Sequence, residues 1–388
     1  MNKKIVASLL LVVTICTFLI VPVMNQSKEN VFPTSATALT QEGSSSEADE
    51  DSNVTTRNEN SDDSSISETT ADTTVSQDTA PTQTPSGTPV AVHGQLSIKG
   101  TNIIDKNGDV FQLKGMSTHG LQWYPQYVNK SSFQSLRDDW GVNCIRLAMY
   151  VEEGGYMNDK TKLEKEVRSG IDNCVDLGLY VIVDWHILSD KNPNTHKADA
   201  IEFFKKIAAD YNKTPNIIYE LCNEPNGKDV TWDNDIKPYC EAVTAEIRKL
   251  DDNAILIAGT PTWSQDIDKA AANRLSDKNT VYALHFYAAT HTQWLRDRLT
   301  SYVDKGLPVF VSEFGTCDAS GTGGNNLTET ENWLKLLDKN KISYINWSLS
   351  DKNETSACLK PNSSPNGGWK DADLTEGGKY ILNWIKNN

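Results

Sequence analysis

Short apolar runs rich in β-branched and aromatic residues recur eight times between residues 111 and 347, and amphipathic helical stretches separate most of them. The runs fall at 111–119, 143–150, 180–186, 216–223, 254–259, 281–287, 308–313 and 342–347, with helical patterns at 131–140, 160–177, 197–211, 233–250, 293–305 and 328–339. The tail, 374–388, reads as a last helix. Alternation of this kind over just under 300 residues predicts an α/β chain folded as a single (β/α)8 TIM barrel. A doubly wound open sheet is the alternative. Against it, the first run leads into Gly115-Met116-Ser117-Thr118-His119-Gly120, which lacks the G-x-G-x-x-G of that architecture. Upstream, residues 96–115 hold two alternating runs around Asp105-Lys106-Asn107-Gly108, the signal of an N-terminal β-hairpin that would plug one end of the barrel.

The residues before the barrel are different in kind. Met1-Asn2-Lys3-Lys4 precedes an uncharged, mostly apolar run over 5–23, so 1–26 reads as an export signal. The run approaches membrane-spanning length and offers no small-x-small cleavage site, which makes a retained N-terminal membrane anchor the alternative to a cleaved signal peptide. Residues 27–92 are an acidic, Ser/Thr-rich stretch almost free of aromatic residues. Such a segment cannot bury a core and reads as a disordered linker. All 10 Trp and every Tyr lie beyond His93, so 93–388 is the expected folded domain. The whole chain of 388 residues carries a net charge of −15 with no basic cluster, which excludes nucleic acid and anionic membrane surfaces as binding partners and is neutral toward an uncharged substrate. Six of the seven cysteines fall in the globular part without metal-ligand spacing. Cys144 and Cys222 read as core fillers, and Cys317 with Cys358 is the one expected bridge.

At the strand ends stand His119, Trp123 and Tyr124; Arg146 and Tyr150; Asp184 and His186; Asn223 and Glu224; His285 and Tyr287; Glu313; and Trp347. Each has an ordinary structural use. The collection has none, because the C-terminal ends of barrel strands face one rim and the opposite ends offer nothing similar. Two carboxylates at the fourth and seventh ends, with Arg, His and Tyr between them and Trp around them, meet the needs of glycoside hydrolysis. One carboxyl protonates the leaving oxygen and the other attacks the anomeric carbon, while aromatic faces stack on sugar rings. The histidines raise zinc as an alternative, but no HxH or HExxH spacing supports it, and no carboxylate run has calcium-loop spacing; no metal or other cofactor is expected.

The motifs resemble those of the endo-1,4-β-glucanases of glycoside hydrolase family five, cellulase family A in barrel clan A, over residues 95–385. The likeness is carried by Gly115-Met116-Ser117-Thr118-His119-Gly120-Leu121-Gln122-Trp123, Ile182-Val183-Asp184-Trp185-His186, Ile218-Tyr219-Glu220-Leu221-Cys222-Asn223-Glu224-Pro225-Asn226-Gly227, His285-Phe286-Tyr287, Val311-Ser312-Glu313-Phe314-Gly315 and Asn346-Trp347-Ser348-Leu349-Ser350-Asp351-Lys352. The resemblance implies Glu224 as acid/base and Glu313 as nucleophile, working with retention of configuration. Asn223 would meet the sugar 2-hydroxyl, His285 would lie near the acid, and Arg146 and Tyr287 would keep Glu313 ionised. It implies substrate contacts from His119, Trp123, Tyr124, Tyr150, His186, Trp347, Lys352 and Glu354, a nearby loop carrying Ala319 and Ser320, and a platform at Trp263 on the leaving-group side. It also implies a non-proline cis peptide at Trp347-Ser348. Without a recognisable cellulose-binding module, soluble β-glucan is the expected substrate and a monomer the expected state. A β-mannanase or xyloglucanase on the same barrel is the alternative activity, and a non-catalytic cell-surface carbohydrate-binding protein is the alternative of another class.

Overall fold

Ten strands form in the computed structural model, which describes residues 86–388. The export signal or anchor and residues 27–85 of the linker lie outside them. β1 (Ser97–Lys99) and β2 (Asn102–Ile104) pair antiparallel. The other eight are β3 (Lys114–Thr118), β4 (Cys144–Tyr150), β5 (Tyr180–His186), β6 (Ile217–Glu220), β7 (Ile255–Ala258), β8 (Thr280–Tyr287), β9 (Val309–Gly315) and β10 (Tyr344–Leu349). They close into one parallel barrel in the order β10-β3-β4-β5-β6-β7-β8-β9. The (β/α)8 expectation is met, and the doubly wound sheet is not formed. Among the described residues no helix is long and apolar enough to cross a membrane.

The strands read as continuous apolar runs because both of their faces are buried. On β5, Val181, Val183 and Trp185 join the core between sheet and helices, while Tyr180 and Ile182 join the core inside the barrel. On β4 the inward positions are Cys144, Arg146, Ala148 and Tyr150, so the barrel interior passes from an apolar floor through a charged layer to an aromatic rim. Helices stop where their sequences say they should. Lys160–Leu177, for example, starts on Asp159, whose carboxylate accepts from the Lys162 amide, and ends on Gly178 with φ of 66°, where a side chain would be strained. The helix expected at 233–250 is shorter, Lys237–Ile247, because Pro238 fits only a first turn; a wider turn, Trp232–Ile236, precedes it.

Three expectations need correction. The hairpin turn lies at Gly100-Thr101, between β1 and β2, and the Asp105–Gly108 turn leads only to a single bridge, Ile104 to Val110. Two turns follow one another there, and the second was the more legible because its Asp and Gly are strong turn formers. The plug itself forms: Leu96, Ile98, Ile103, Phe111 and Leu113 pack into the same cluster as Tyr180, Ile182, Ile218, Phe310 and Ile345 of the barrel floor. Order also begins before residue 93, since Pro89–His93 is a short helix whose Val90 is buried and whose Val90 amide donates to the Gly178 carbonyl. One apolar side chain in a polar stretch sufficed to anchor it. Finally, Cys317 and Cys358 are not bridged; all six cysteines of the described residues are free and buried. Burial pushes both of these thiols up to about 12.

Candidate active site

Arg146 is fully buried at the centre of the charged layer. Its Nε donates to Glu220 Oε2 at 2.7 Å, Nη1 to Glu313 Oε2 at 3.0 Å, and Nη2 to Asn223 Oδ1 at 2.6 Å, with Asp184 Oδ2 3.0 Å from Nη2. β4, β5, β6 and β9 therefore converge on one guanidinium. Burial opposes its charge, but three neighbouring carboxylates outweigh that and hold it above the ordinary arginine value. Glu313 accepts a second hydrogen bond, from Tyr287 Oη at 2.8 Å. Burial alone would raise its pKa; Arg146, then His285 and His186, then the Tyr287 hydroxyl overcome this and bring it below the usual carboxylate range. A Cβ on Gly315 would come within 2.3 Å of Tyr287 Cδ1, so glycine there leaves the tyrosine its position.

The backbone explains how Ser312 and Glu313, adjacent in sequence, both face inward. Ala283 pairs with Phe310 but His285 pairs with Glu313, so β9 carries one extra residue against β8. An extra residue in a strand re-aims its side chains. Ser312 Oγ donates to Glu220 Oε1 at 2.6 Å and therefore accepts from His285 Nε2 at 2.9 Å. That leaves His285 Nδ1, 2.9 Å from Glu224 Oε1, as the other end of the chain. A single proton lies on this last link when the pair carries one. Burial raises Glu224, helped by the charge of Glu313, while burial opposes the charge of His285 but the neighbouring carboxyls of Glu220 and Glu224 hold it at about 9. Both shifts favour a proton on that link.

One oxygen each of Glu224 and Glu313 and a nitrogen of His285 lie within 4.8 Å of one another. The carboxylates are close enough for direct nucleophilic attack and too close for the ~6.5–9.5 Å of a water-activating pair. The same three residues could be read as a metal cluster. Their geometry does not fit one, because both Glu313 oxygens already accept from Arg146 and Tyr287, both His285 nitrogens are engaged, and the guanidinium opposes a second cation.

His186 is assigned to positioning rather than to substrate. The Asn223 amide is oriented by Arg146 on its oxygen and by the Ile187 carbonyl, 3.1 Å away, on its nitrogen, so its remaining hydrogen points at His186 Nε2, 3.2 Å away. Nδ1 must then donate to Asp184 Oδ2 at 2.6 Å. Burial, and then Arg146, drop His186 to about 3, so the ring is neutral. One face of the ring stacks against Trp347.

The remaining expected residues line the same rim. Tyr150 and Trp347 form a small aromatic cluster with Ala148, flanked by Tyr287. Trp123 is 47% exposed and packs edge-on to His119 and beside Tyr150; Tyr124 leans on His119. His119 Nε2 faces Glu354 Oε1 at 3.6 Å, and Lys352 Nζ bonds Glu354 Oε2 at 2.6 Å. Ala319 and Ser320 belong to a loop tied to this group through the Ser356 amide and the Gly321 carbonyl. Trp263, 39% exposed, donates its amide to the Pro225 carbonyl and so stands next to Glu224. The peptide Trp347-Ser348 is cis. Glu220 and Ser312 were missed from the sequence as site residues. Glu220 reads as an inner strand residue and Ser312 as filler, and only an irregular register reveals the second.

The chain is thus a closed (β/α)8 barrel whose C-terminal rim holds two adjacent carboxyl groups, one shifted up in pKa and the other down, beneath a row of aromatic side chains. Residues 104–353 match the family described as cellulase, glycosyl hydrolase family 5. An endoglucanase of Clostridium saccharobutylicum is 51% identical over 288 residues, covering 74% of this chain and 64% of that protein. Endoglucanase N of Pectobacterium atrosepticum is 50% identical over 301 residues, covering 78% and 67%. Among solved structures, the catalytic domain of a Thermobifida fusca endoglucanase, determined with cellotetraose, superposes with a TM-score of 0.75 at 35% identity, covering 78% of this chain and all of that one. The chain belongs to glycosyl hydrolase family 5. It spans about two-thirds of the length of these curated relatives.

Proposed function

We propose that the protein is an exported, monomeric, retaining endo-1,4-β-glucanase acting on soluble cellulose-like chains. The observation that carries this reading is the Glu224–Glu313 pair, held within 4.8 Å with the pKa of Glu224 pushed up by burial and that of Glu313 pulled down by Arg146. Glu313, ionised by Arg146 and Tyr287, attacks the anomeric carbon. As the glycosidic C–O bond breaks, Glu224 gives the proton it shares with His285 to the departing oxygen. The glycosyl ester leaves Glu313 neutral, which removes the charge that raised Glu224; Glu224 then takes a proton from water, the water attacks the anomeric carbon, and Glu313 leaves as carboxylate. Asn223, clamped by Arg146, Ile187 and His186, presents the remaining lone pair of its Oδ1 to the hydroxyl beside the reacting carbon. Trp123 and Trp347 on one side and Trp263 on the other offer the ring faces on which successive sugars stack. The relatives' names and the cellotetraose complex of the Thermobifida fusca protein support an unsubstituted glucan chain over a mannan or a xyloglucan.

The test is reducing-sugar release from carboxymethylcellulose by the full chain and by Glu313→Gln. The wild type is expected to cut, with the β-anomer appearing first by NMR, and the variant to lose at least roughly a thousandfold in kcat while still binding. Activity surviving in Glu313→Gln, or first release of the α-anomer, would overturn the mechanism. The export assignment rests on the apolar run 5–23, and mass spectrometry of the protein from culture supernatant and membranes separates a cleaved signal from a retained tether.

A further inference from the structure

The loops that follow β4 and β5 bring Glu152, Asp190 and His196 together, and none of the roles above uses them. One donor atom of each lies within 4.8 Å of the other two. His196 Nε2 is 2.6 Å from Glu152 Oε1 and 3.7 Å from Asp190 Oδ1. The Asp190 side chain is only 1% exposed, against 17% for His196 and 43% for Glu152. Asp190 Oδ2 accepts from the Leu188 amide at 3.2 Å, but Oδ1, the oxygen aimed into the group, has no hydrogen-bond partner. Nearby, Glu153 Oε2 is also buried without one.

A buried carboxylate oxygen without a donor costs free energy that folding does not recover unless something positive faces it. We propose that Glu152, Asp190 and His196 bind a divalent transition-metal ion of the zinc class. One imidazole with two carboxylates is a donor set for zinc and its neighbours, whereas calcium and magnesium take oxygen alone. The spacing fits with little movement. Tetrahedral ligands bonded at about 2.0–2.1 Å lie about 3.3–3.4 Å apart. His196 and Asp190 are close to that separation, and Glu152, the most exposed of the three, swings out from its hydrogen bond to reach it.

The ion would join the loop after β4 to residues 187–192. That second loop supports the catalytic segment from outside, since the Leu188 carbonyl accepts from Asn226 Nδ2 at 2.8 Å and the Lys191 carbonyl from the Asn226 amide. The metal is therefore a brace two residues behind Glu224 and takes no part in bond making.

Titration calorimetry and thermal unfolding of the full chain with Zn2+, and with Ca2+ as the oxygen-seeking comparison, test the proposal. Expected are one saturable Zn2+ per chain, an upward shift in Tm, and much weaker Ca2+ binding. Asp190→Asn and His196→Ala should each weaken Zn2+ by at least about tenfold, because even the loss of an outer partner of a ligand costs that much. Asp190→Asn keeps the side-chain shape, so it decides the matter if His196→Ala does not fold. Glu313→Gln should bind as the wild type does. Absence of saturable binding, binding that survives in Asp190→Asn, or binding lost in Glu313→Gln would each overturn the assignment.

Discussion

At the lower end of the barrel Tyr180, Ile182, Ile218, Ile255, Phe310 and Ile345 meet the plug residues Leu96, Ile103 and Leu113 in a wholly apolar layer. At the upper end the same strands present Arg146, Asp184, Glu220, His285 and Glu313, all buried and all joined by hydrogen bonds or ion pairs. The alternation of side chains along each strand is the same in both layers. What differs is the accounting of charge: the floor gains by excluding water, while in the upper layer Arg146 offsets Glu220 and Glu313 and burial pushes Asp184 toward its neutral form. Stability and chemistry are thus separated by two or three residues along one strand, and substitutions at the two ends should fail in different ways.

Glu224→Gln should show the separation most plainly. The loss of the acid/base is expected to lower kcat on carboxymethylcellulose by about 10^2–10^4-fold, with a smaller loss on an aryl glycoside whose leaving group needs no proton. Because Gln resembles the neutral form that burial favours, Tm should hold or rise. A large fall in Tm would show that the rim carries the fold after all. Arg146→Met should break the comparison, since it removes the guanidinium shared by three buried carboxyl groups: unfolding free energy is expected to drop by about 3–5 kcal/mol in urea titration, and activity to vanish with it. Leu113→Ala, on the floor, should cost about 2–5 kcal/mol of stability while leaving kcat at low temperature unchanged. A coupled loss of kcat would mean that the plug communicates with the rim.

Ser312→Ala gives the smallest effect and the most specific one. It removes the hydroxyl that links Glu220 to His285. His285 in the folded state sits at about 9, above its ordinary value, so its proton contributes stability that is complete below the ordinary value and is lost as pH rises through about 9. The alkaline limb of kcat/KM should follow the same proton and move down by about one pH unit in the variant, the worth of one hydrogen bond. Glu313 has the opposite sign. Its lowered pKa favours the carboxylate, and that contribution disappears as pH falls, so the acid limb should stay where it is in Ser312→Ala.

Much of this was legible in the chain itself. Eight β-like runs with helical stretches between them determine a barrel because their spacing leaves few other ways to bury both faces of every strand. Glu224 and Glu313 stood out because both end such runs, and the two ends of parallel strands are not equivalent. The tertiary structure alone decided the rest. The extra residue in β9 that turns Ser312 inward, the tautomer of His186, the free state of Cys317 and Cys358, and the meeting of Glu152 with Asp190 and His196 depend on register and on approach between distant loops. Local pattern carries the period of a strand and the chemistry of its end. It does not carry the sub-ångström choices by which separate strands share one proton.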